Sequence, residues 1–270
     1  MSAWFHCNFQ SCILRMNVDV GVLIPERARI EGIETKANRI QEGNKRPLYQ
    51  TLYLLHGFSG DYMSYLRSSN IDRYSEENQI AVVMPSVYNS AYTDMKYGLD
   101  YFTYVADELM DFIEQTFPVS PHREDRFVAG MSMGGYGAYK LGLSHSERFS
   151  AIAGLAGSYH AEYRYQGKVS TVSTLCEALY GDPPQIVPEI HDIFTMMKKR
   201  KEEGVKMPRM YTCCGTEDRR HQDSVDLKKF ADANGIDLTF EQGPGRHDSL
   251  FFDEYIQRVL QWFHLKEKPL

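Results

Sequence analysis

Residues 126–137 have the sequence RFVAGMSMGGYG, in which a short apolar run is followed by Gly-Met-Ser-Met-Gly and a small-residue start to an amphipathic stretch. This is the G-x-S-x-G pattern of a nucleophile elbow, a tight turn between a strand and a helix that exposes the serine hydroxyl above a sheet edge. Gly130 and Gly134 flank Ser132, where a Cβ atom would crowd the crossing of strand and helix. The pattern predicts that Ser132 is a nucleophile.

The sequence around the motif decides its weight, because a chain with 20 glycines produces G-x-S-x-G by chance fairly often. Residues 127–129 predict a buried strand before the turn, and the spacing of Tyr136, Tyr139 and Leu143 predicts a helix after it. A purely structural glycine turn is the alternative. The order of strand, turn and helix favours the catalytic interpretation.

Strands and helices alternate along most of the chain, which predicts an α/β fold with a mostly parallel, twisted sheet covered by helices on both faces. A length of 270 residues suits one domain, residues 1–270. The predicted strands are residues 13–24, 51–55, 80–84, 127–129, 151–155, 209–213 and 237–241. The predicted helices are residues 101–117, 172–180, 189–203, 224–233 and 249–263, with one more starting near Gly134.

Residues 158–206 differ from their surroundings, because they are polar and are interrupted by Pro183-Pro184 and by the basic run 198–201. They follow the strand predicted at residues 151–155 and precede the one predicted at residues 209–213. We expect this insertion to form a small cap over the strand ends, within the single domain.

A nucleophilic serine needs a base within hydrogen-bond reach and an acid that orients the base. In the fold that carries G-x-S-x-G elbows, these groups follow the serine in the order acid and then histidine, on loops after later strands. His247 lies in the turn 243–248 between the last predicted strand and the last helix, so we predict it as the base. His191 falls on a predicted helix, His264 lies near the end of the last one, and His221 could cap the helix that follows it, which favours structural or solvated roles.

The acid is expected at the end of the strand predicted at residues 209–213, where the sequence continues Cys-Gly-Thr-Glu-Asp. We predict Asp218, because it follows the strand by a turn long enough to reach back over the sheet edge. Glu217 and, more remotely, Asp223 remain alternatives. Asp248 adjoins the histidine but begins the last helix, so we expect it to cap that helix.

Acyl transfer also needs N–H donors for the developing oxyanion, one from the residue after the nucleophile and one from an earlier strand-end loop. Met133 supplies the first, and we assign the second to the backbone N–H of Phe58, in His-Gly-Phe-Ser-Gly after a buried strand. His56 and Gly57 are candidate pocket residues of the same loop. Tyr159, just after a strand end, is a further candidate, although packing within the cap is an equal alternative.

These motifs resemble the esterase D-like branch of the α/β hydrolases, especially its small bacterial tributyrin, acetyl and feruloyl esterases. The resemblance runs along nearly the whole chain, from residues 4–9 through the oxyanion loop 54–60, the segment 92–104 and the elbow 130–135. It assigns the catalytic serine, acid and histidine to Ser132, Asp218 and His247. It implies a serine carboxylesterase for short-chain acyl esters such as acetyl and butyryl esters, with acetylated or feruloylated saccharides as candidate substrates. It also implies that the enzyme uses no metal and no other cofactor.

Other activities remain open beside this interpretation. A thioesterase resembling S-formylglutathione hydrolase and an acyltransferase use the same acyl-enzyme chemistry, whereas a non-catalytic binding protein would be expected to lack a triad member. The net charge of -6 argues against nucleic-acid and anionic-membrane partners. We expect a small-molecule ester as the partner, and the sequence leaves room for a homo-oligomer. Five cysteines without a disulfide or metal spacing, and no signal-peptide pattern, favour the cytoplasm.

Overall fold

The computed structural model describes residues 2–25, 48–160 and 170–266, which form an eight-stranded sheet in the order β1-β2-β4-β3-β5-β6-β7-β8. The strands are β1 (Ala3–Ser11), β2 (Met16–Ile24), β3 (Gln50–Leu55), β4 (Ile80–Pro85), β5 (Arg126–Met131), β6 (Ala151–Leu155), β7 (Arg209–Gly215) and β8 (Thr239–Gly243). The strands from β4 across to β8 pair in parallel, whereas β2 pairs antiparallel with both of its neighbours, β1 and β4.

The helices connect these strands and cover both faces of the sheet. They are α1 (Ser64–Ser68), α2 (Ile71–Glu77), α3 (Tyr101–Thr103), α4 (Leu109–Thr116), α5 (Met133–Ser144), α6 (Ser170–Tyr180), α7 (Pro188–His191), α8 (Ile193–Glu202), α9 (His221–Ala233) and α10 (Ser249–Trp262). A π-helical turn, Tyr104–Glu108, joins α3 to α4, and a 3₁₀ turn, Arg123–Asp125, precedes β5. The predicted mostly parallel sheet with helical cover is confirmed.

Alternate residues of the central strands enter two separate hydrophobic cores, because successive side chains of a strand point to opposite faces. Val128 and Ile152 lie in the core that contains residues of α5, whereas Phe127 and Ala153 lie in the core that contains residues of α10. Burial on both faces explains why these strands are continuous apolar runs without alternation. Because β3 to β8 run parallel, their carboxyl ends meet at one edge of the sheet, where the predicted site residues follow them.

Several predicted boundaries were wrong for local reasons. The strand predicted from residue 13 begins at Met16, because residues 12–15 form the hairpin turn after β1, with Arg15 at a φ of 53°. The helix predicted over residues 189–203 is divided into α7 and α8 at Asp192, whose carboxylate accepts a hydrogen bond from the Thr195 N–H at 3.0 Å. The last strand lies two residues later than predicted, at Thr239–Gly243.

The insertion between β6 and β7 is joined to the layer of the elbow helix. Helix α8 packs against α5 and α9, and its Ile193 and Met197 are fully buried. The Tyr136 hydroxyl of α5 donates a hydrogen bond to the His191 carbonyl oxygen at 2.8 Å. Residues 161–169 of the insertion lie outside the described residues, so a cap over residues 158–206 stays a prediction.

Candidate active site

Ser132 lies at a strained turn between β5 and α5. Its φ of 54° and ψ of -114° are unusual for a residue with a side chain and are typical of a nucleophile elbow. The turn is held on both sides, because the Ser132 N–H donates to the Leu155 carbonyl at 2.8 Å and the Ser132 carbonyl accepts from the Gly135 N–H at 3.0 Å. The predicted strand–turn–helix context is confirmed, and the side chain is partly exposed at the start of the helix.

Gly134 allows α5 to approach the neighbouring strand. A Cβ atom at this position would lie 2.1 Å from the Leu55 carbonyl oxygen of β3 and 2.7 Å from the His56 carbonyl oxygen. Both atoms belong to the backbone and cannot rotate away. The close crossing brings the positive N-terminal end of α5 to the edge of the sheet, where it favours negative charge on a bound ligand.

Asp218 and His247 form a hydrogen-bonded pair at the ends of the two strands β7 and β8. The His247 Nδ1 atom lies 2.7 Å from Asp218 Oδ2, with side-chain exposures of 20% and 0%. Since a carboxylate only accepts hydrogen bonds, this contact assigns the Nδ1 proton to His247 and leaves Nε2 available as a base. The second carboxylate oxygen, Oδ1, accepts from the Arg220 N–H at 2.7 Å.

The charge state of Asp218 follows from these contacts. Burial raises the pKa of the carboxyl group, but the hydrogen bonds from His247 and the Arg220 N–H lower it by more, so the pKa of Asp218 lies below its usual range. The group is therefore a carboxylate at neutral pH, as required for orienting an imidazole and stabilising its protonated form.

No hydrogen bond joins the predicted nucleophile, Ser132, to the predicted base, His247. The hydrogen bond of His247 goes to Asp218, and none links it to Ser132, although both residues lie in the described part of the chain. Catalytic hydrogen bonds are often long or misaligned in sites without substrate and tighten in the complex. Ser132 and His247 do share the same sheet edge, after β5 and β8 respectively.

The alternative acids occupy other positions. Glu217 is exposed and accepts a hydrogen bond from a backbone N–H of the histidine loop. Asp223 is buried on α9 and pairs with the Arg220 guanidinium at 3.3 Å. Asp248 accepts a hydrogen bond from the Phe251 N–H at 3.1 Å, so its predicted role as the N-cap of α10 is confirmed.

The two assigned oxyanion donors lie on the loop after β3 and at the start of α5. Met133 is the first residue of α5, and neither its N–H nor that of Phe58 has a hydrogen-bond acceptor among the described residues. The loop containing Phe58 passes next to Ser132, since a Cβ atom on Gly57 would lie 3.5 Å from Ser132 Cβ. A free N–H on each side of the serine can serve a developing oxyanion.

His56 and Tyr159 lie in the core. His56 is 1% exposed; its Nδ1–H donates to the Gly57 carbonyl at 2.7 Å and its Nε2 accepts from the Val87 N–H at 3.1 Å. Tyr159 is 0% exposed, with its hydroxyl 2.7 Å from Thr212 Oγ1. The expectation that these side chains line the pocket finds no support here, because a side chain without accessible surface cannot contact a substrate arriving from solvent.

Sequence reasoning missed the loop after β4, which supports the oxyanion loop. The Asn89 side-chain oxygen accepts from the Ser59 N–H at 2.7 Å, and the Tyr92 hydroxyl donates to the His56 carbonyl at 3.0 Å. Tyr92 itself has a φ of 49°, an uncommon conformation for a tyrosine. Nothing in the sequence of residues 86–93 distinguishes this support from an ordinary loop.

Two further properties concern the described residues only. Within them, no three or more His, Cys, Asp and Glu side chains gather in the way a metal site requires. None of the helices there has both the length and the apolar character needed to cross a membrane.

A mostly parallel sheet with a serine elbow after β5 and an acid–histidine pair after β7 and β8 defines an α/β hydrolase of the serine type. Comparison with known proteins identifies the family. The model of the family described as "Putative esterase" matches residues 41–236. The chain belongs to this esterase family, and it is a serine ester hydrolase.

Individual relatives agree with this family over nearly the full length of the chain. An acetyl esterase of Caldicellulosiruptor saccharolyticus is 31% identical over 271 residues, covering 94% of this chain and 96% of the relative. The serine hydrolase FphF of Staphylococcus aureus has a TM-score of 0.87 at 31% identity, covering 97% and 98% of the two chains. The S-formylglutathione hydrolase FrmB of Staphylococcus aureus has a TM-score of 0.84 at 32% identity, covering 97% and 99%. The resemblance predicted from the sequence motifs is confirmed.

Proposed function

We propose that the protein hydrolyses short-chain carboxylic esters through a triad of Ser132, His247 and Asp218. The observation that carries this proposal is the 2.7 Å contact between His247 Nδ1 and the buried Asp218 carboxylate, on the sheet edge where Ser132 occupies a strained elbow. The similarity to an acetyl esterase over 94% of the chain favours small acyl groups such as acetyl.

In the proposed reaction, His247 Nε2 takes the proton of the Ser132 hydroxyl as Oγ attacks the ester carbonyl carbon. The N–H groups of Phe58 and Met133 donate hydrogen bonds to the resulting oxyanion, with further support from the positive end of α5. His247 then gives its proton to the leaving alcohol, and an acyl-enzyme remains on Ser132. Water, activated by His247, repeats the sequence and releases the carboxylic acid.

The direct test is hydrolysis of p-nitrophenyl acetate and butyrate by the wild type and by Ser132→Ala. Removal of a triad serine typically lowers kcat by about 10⁶-fold, so we expect the variant to lose essentially all turnover. Ser68→Ala is the matched control, because among the described residues the Ser68 hydroxyl bonds only to a carbonyl of its own helix, 2.7 Å away. Near-normal activity of the folded Ser132→Ala variant would contradict the assignment of Ser132 as the nucleophile.

Hydrolysis of a glutathione thioester is the second candidate, favoured by the similarity to a bacterial S-formylglutathione hydrolase at 32% identity. The same triad performs both reactions, because ester and thioester form the same acyl-enzyme. A panel of acetyl to decanoyl p-nitrophenyl esters, acetylated xylan, methyl ferulate and S-formylglutathione separates the two. A kcat/KM for S-formylglutathione far above that for every oxygen ester would favour the thioesterase.

The cellular location, the partners and the oligomeric state of the protein stay predictions from the sequence. A cytoplasmic location rests on five cysteines without disulfide spacing, and the absence of nucleic-acid partners rests on the net charge of -6. Fractionation of cells and size-exclusion chromatography would test the location and the oligomeric state.

A further inference from the structure

Glu217 is in contact with the histidine loop through two reciprocal hydrogen bonds. Its backbone N–H donates to the Gly245 carbonyl oxygen at 3.1 Å, and its side-chain Oε2 accepts from the Gly245 N–H. Glu217 immediately precedes Asp218, and Gly245 lies two residues before His247. One residue therefore links the turn that carries the acid to the loop that carries the base.

The two segments are adjacent because β7 and β8 continue their pairing into this region. The strands pair up to Gly215 and Gly243, and the Thr216 N–H then donates to the Gly243 carbonyl at 2.8 Å. A Cβ atom on Gly215 would lie 2.2 Å from the Gly245 carbonyl oxygen, so the backbones are as close as a glycine permits. Beyond Gly245, the hydrogen bond that leads back to the acid turn is the one between His247 and Asp218.

We infer that Glu217 is a positioning residue, which fixes the histidine loop so that His247 keeps its contact with Asp218 and presents Nε2 to Ser132. This inference rests on the proposed triad. The Glu217 side chain spans the gap between the two segments, and without it the loop from Gly245 to His247 loses one of two backbone restraints. A catalytic group displaced by about 1 Å costs on the order of 100-fold in rate, so a small loosening is enough to matter.

The charge on the Glu217 side chain is consistent with its role in holding the histidine loop. The hydrogen bond from Gly245 lowers the pKa of Glu217, so its side chain accepts as a carboxylate at neutral pH. A charged acceptor makes a stronger hydrogen bond than a neutral one. Because Oε2 is engaged with a backbone N–H, Glu217 acts on the imidazole through the loop and not as its direct partner.

Three variants of Glu217 separate the effect of side-chain length from the effect of its charge. Glu217→Ala removes the acceptor, and we expect kcat for p-nitrophenyl acetate to fall about 10- to 100-fold with KM within about twofold. Glu217→Gln keeps an oxygen at the same reach without the charge, and we expect kcat within about threefold of the wild type. Glu217→Asp keeps the charge on a shorter side chain, and we expect it to behave like the alanine variant. Glu254→Ala is the control, since within the part of the chain that the structure describes that exposed carboxylate pairs only with Arg258 of its own helix.

The rate of Ser132 labelling by a small fluorophosphonate gives a second readout, because it reports activation of the serine without ester binding. It should fall in the alanine and aspartate variants and recover in the glutamine variant, with melting temperatures near that of the control. Equal activity of all three variants and the wild type would overturn the inference. A glutamine variant as inactive as the alanine variant would overturn it too, and if Asp218→Asn were then mild, Glu217 would be the triad acid. An active Ser132→Ala protein would instead contradict the proposed function itself.

Discussion

Gly134→Ala tests whether the elbow depends on the close crossing of α5 and β3. The added Cβ would lie 2.1 Å from the Leu55 carbonyl oxygen, whereas ordinary contacts begin at 3.4 Å. The helix and strand must therefore separate by about 1 Å, which a close-packed interior resists. Overpacking typically costs about 1–3 kcal/mol, and a clash with backbone belongs at the upper end. Alanine regains about 1 kcal/mol of helix propensity, which leaves a net loss of about 2 kcal/mol.

For a domain of this size, that loss lowers the melting temperature by about 4–8 °C. Circular dichroism measures the shift, and Gly57→Ala is the comparison variant. Its Cβ would lie 3.5 Å from both the Met131 carbonyl oxygen and Ser132 Cβ, an ordinary contact, so we expect a melting temperature close to wild type. The same methyl group lies next to Ser132, the proposed nucleophile, and we expect kcat/KM to fall by at least about tenfold, or 1.4 kcal/mol. Gly134→Ala melting within 2 °C of the wild type would refute this reasoning.

Three further predictions concern the support of the site. Tyr159→Phe removes the hydroxyl bonded to Thr212 and should cost about 1 kcal/mol of unfolding free energy in urea, while an altered kcat would contradict its placement in the core. Asp248→Ala removes the N-cap of α10 and should cost about 1 kcal/mol in the same assay, and no change would argue against the cap. Burial lowers the pKa of His56 despite its hydrogen bond to the Gly57 carbonyl, so the unfolded chain binds a proton near pH 6.5 that the folded chain excludes. Stability should therefore fall as the pH drops below about 6.5, by up to about 1.4 kcal/mol per pH unit, and His56→Asn should remove this part of the slope.

The sequence predicts those features of the fold and the site that depend on the types of residue at particular positions. The apolar run before His56-Gly57 predicted the end of β3 at Leu55, whereas β5 continues two residues past its predicted end, through Gly130 to Met131. The parallel pairing of β3 and β5 brings their ends to one edge of the sheet. The same logic selected Asp218 after β7 and His247 after β8. In the structure, His247 Nδ1 lies 2.7 Å from Asp218 Oδ2. The helix break at Asp192 escaped prediction, because periodicity alone does not show that a carboxylate ends one helix and caps the next.

The side chains that support the site escaped prediction for a different reason. The oxyanion loop is held through the Ser59 N–H and the His56 carbonyl, and the histidine loop through both backbone groups of Gly245. Apart from proline, which lacks the N–H, every residue carries these backbone groups, so a motif can specify at most one partner of each contact. Glu217 illustrates the consequence, because a glutamate beside the acid is as suitable for the triad by type as Asp218. Geometry separates the two: one carboxylate bonds the imidazole and the other bonds the backbone that carries the imidazole. The proposed reacting groups can therefore be predicted from the order of strands and from residue types, whereas their alignment depends on backbone contacts between neighbouring loops.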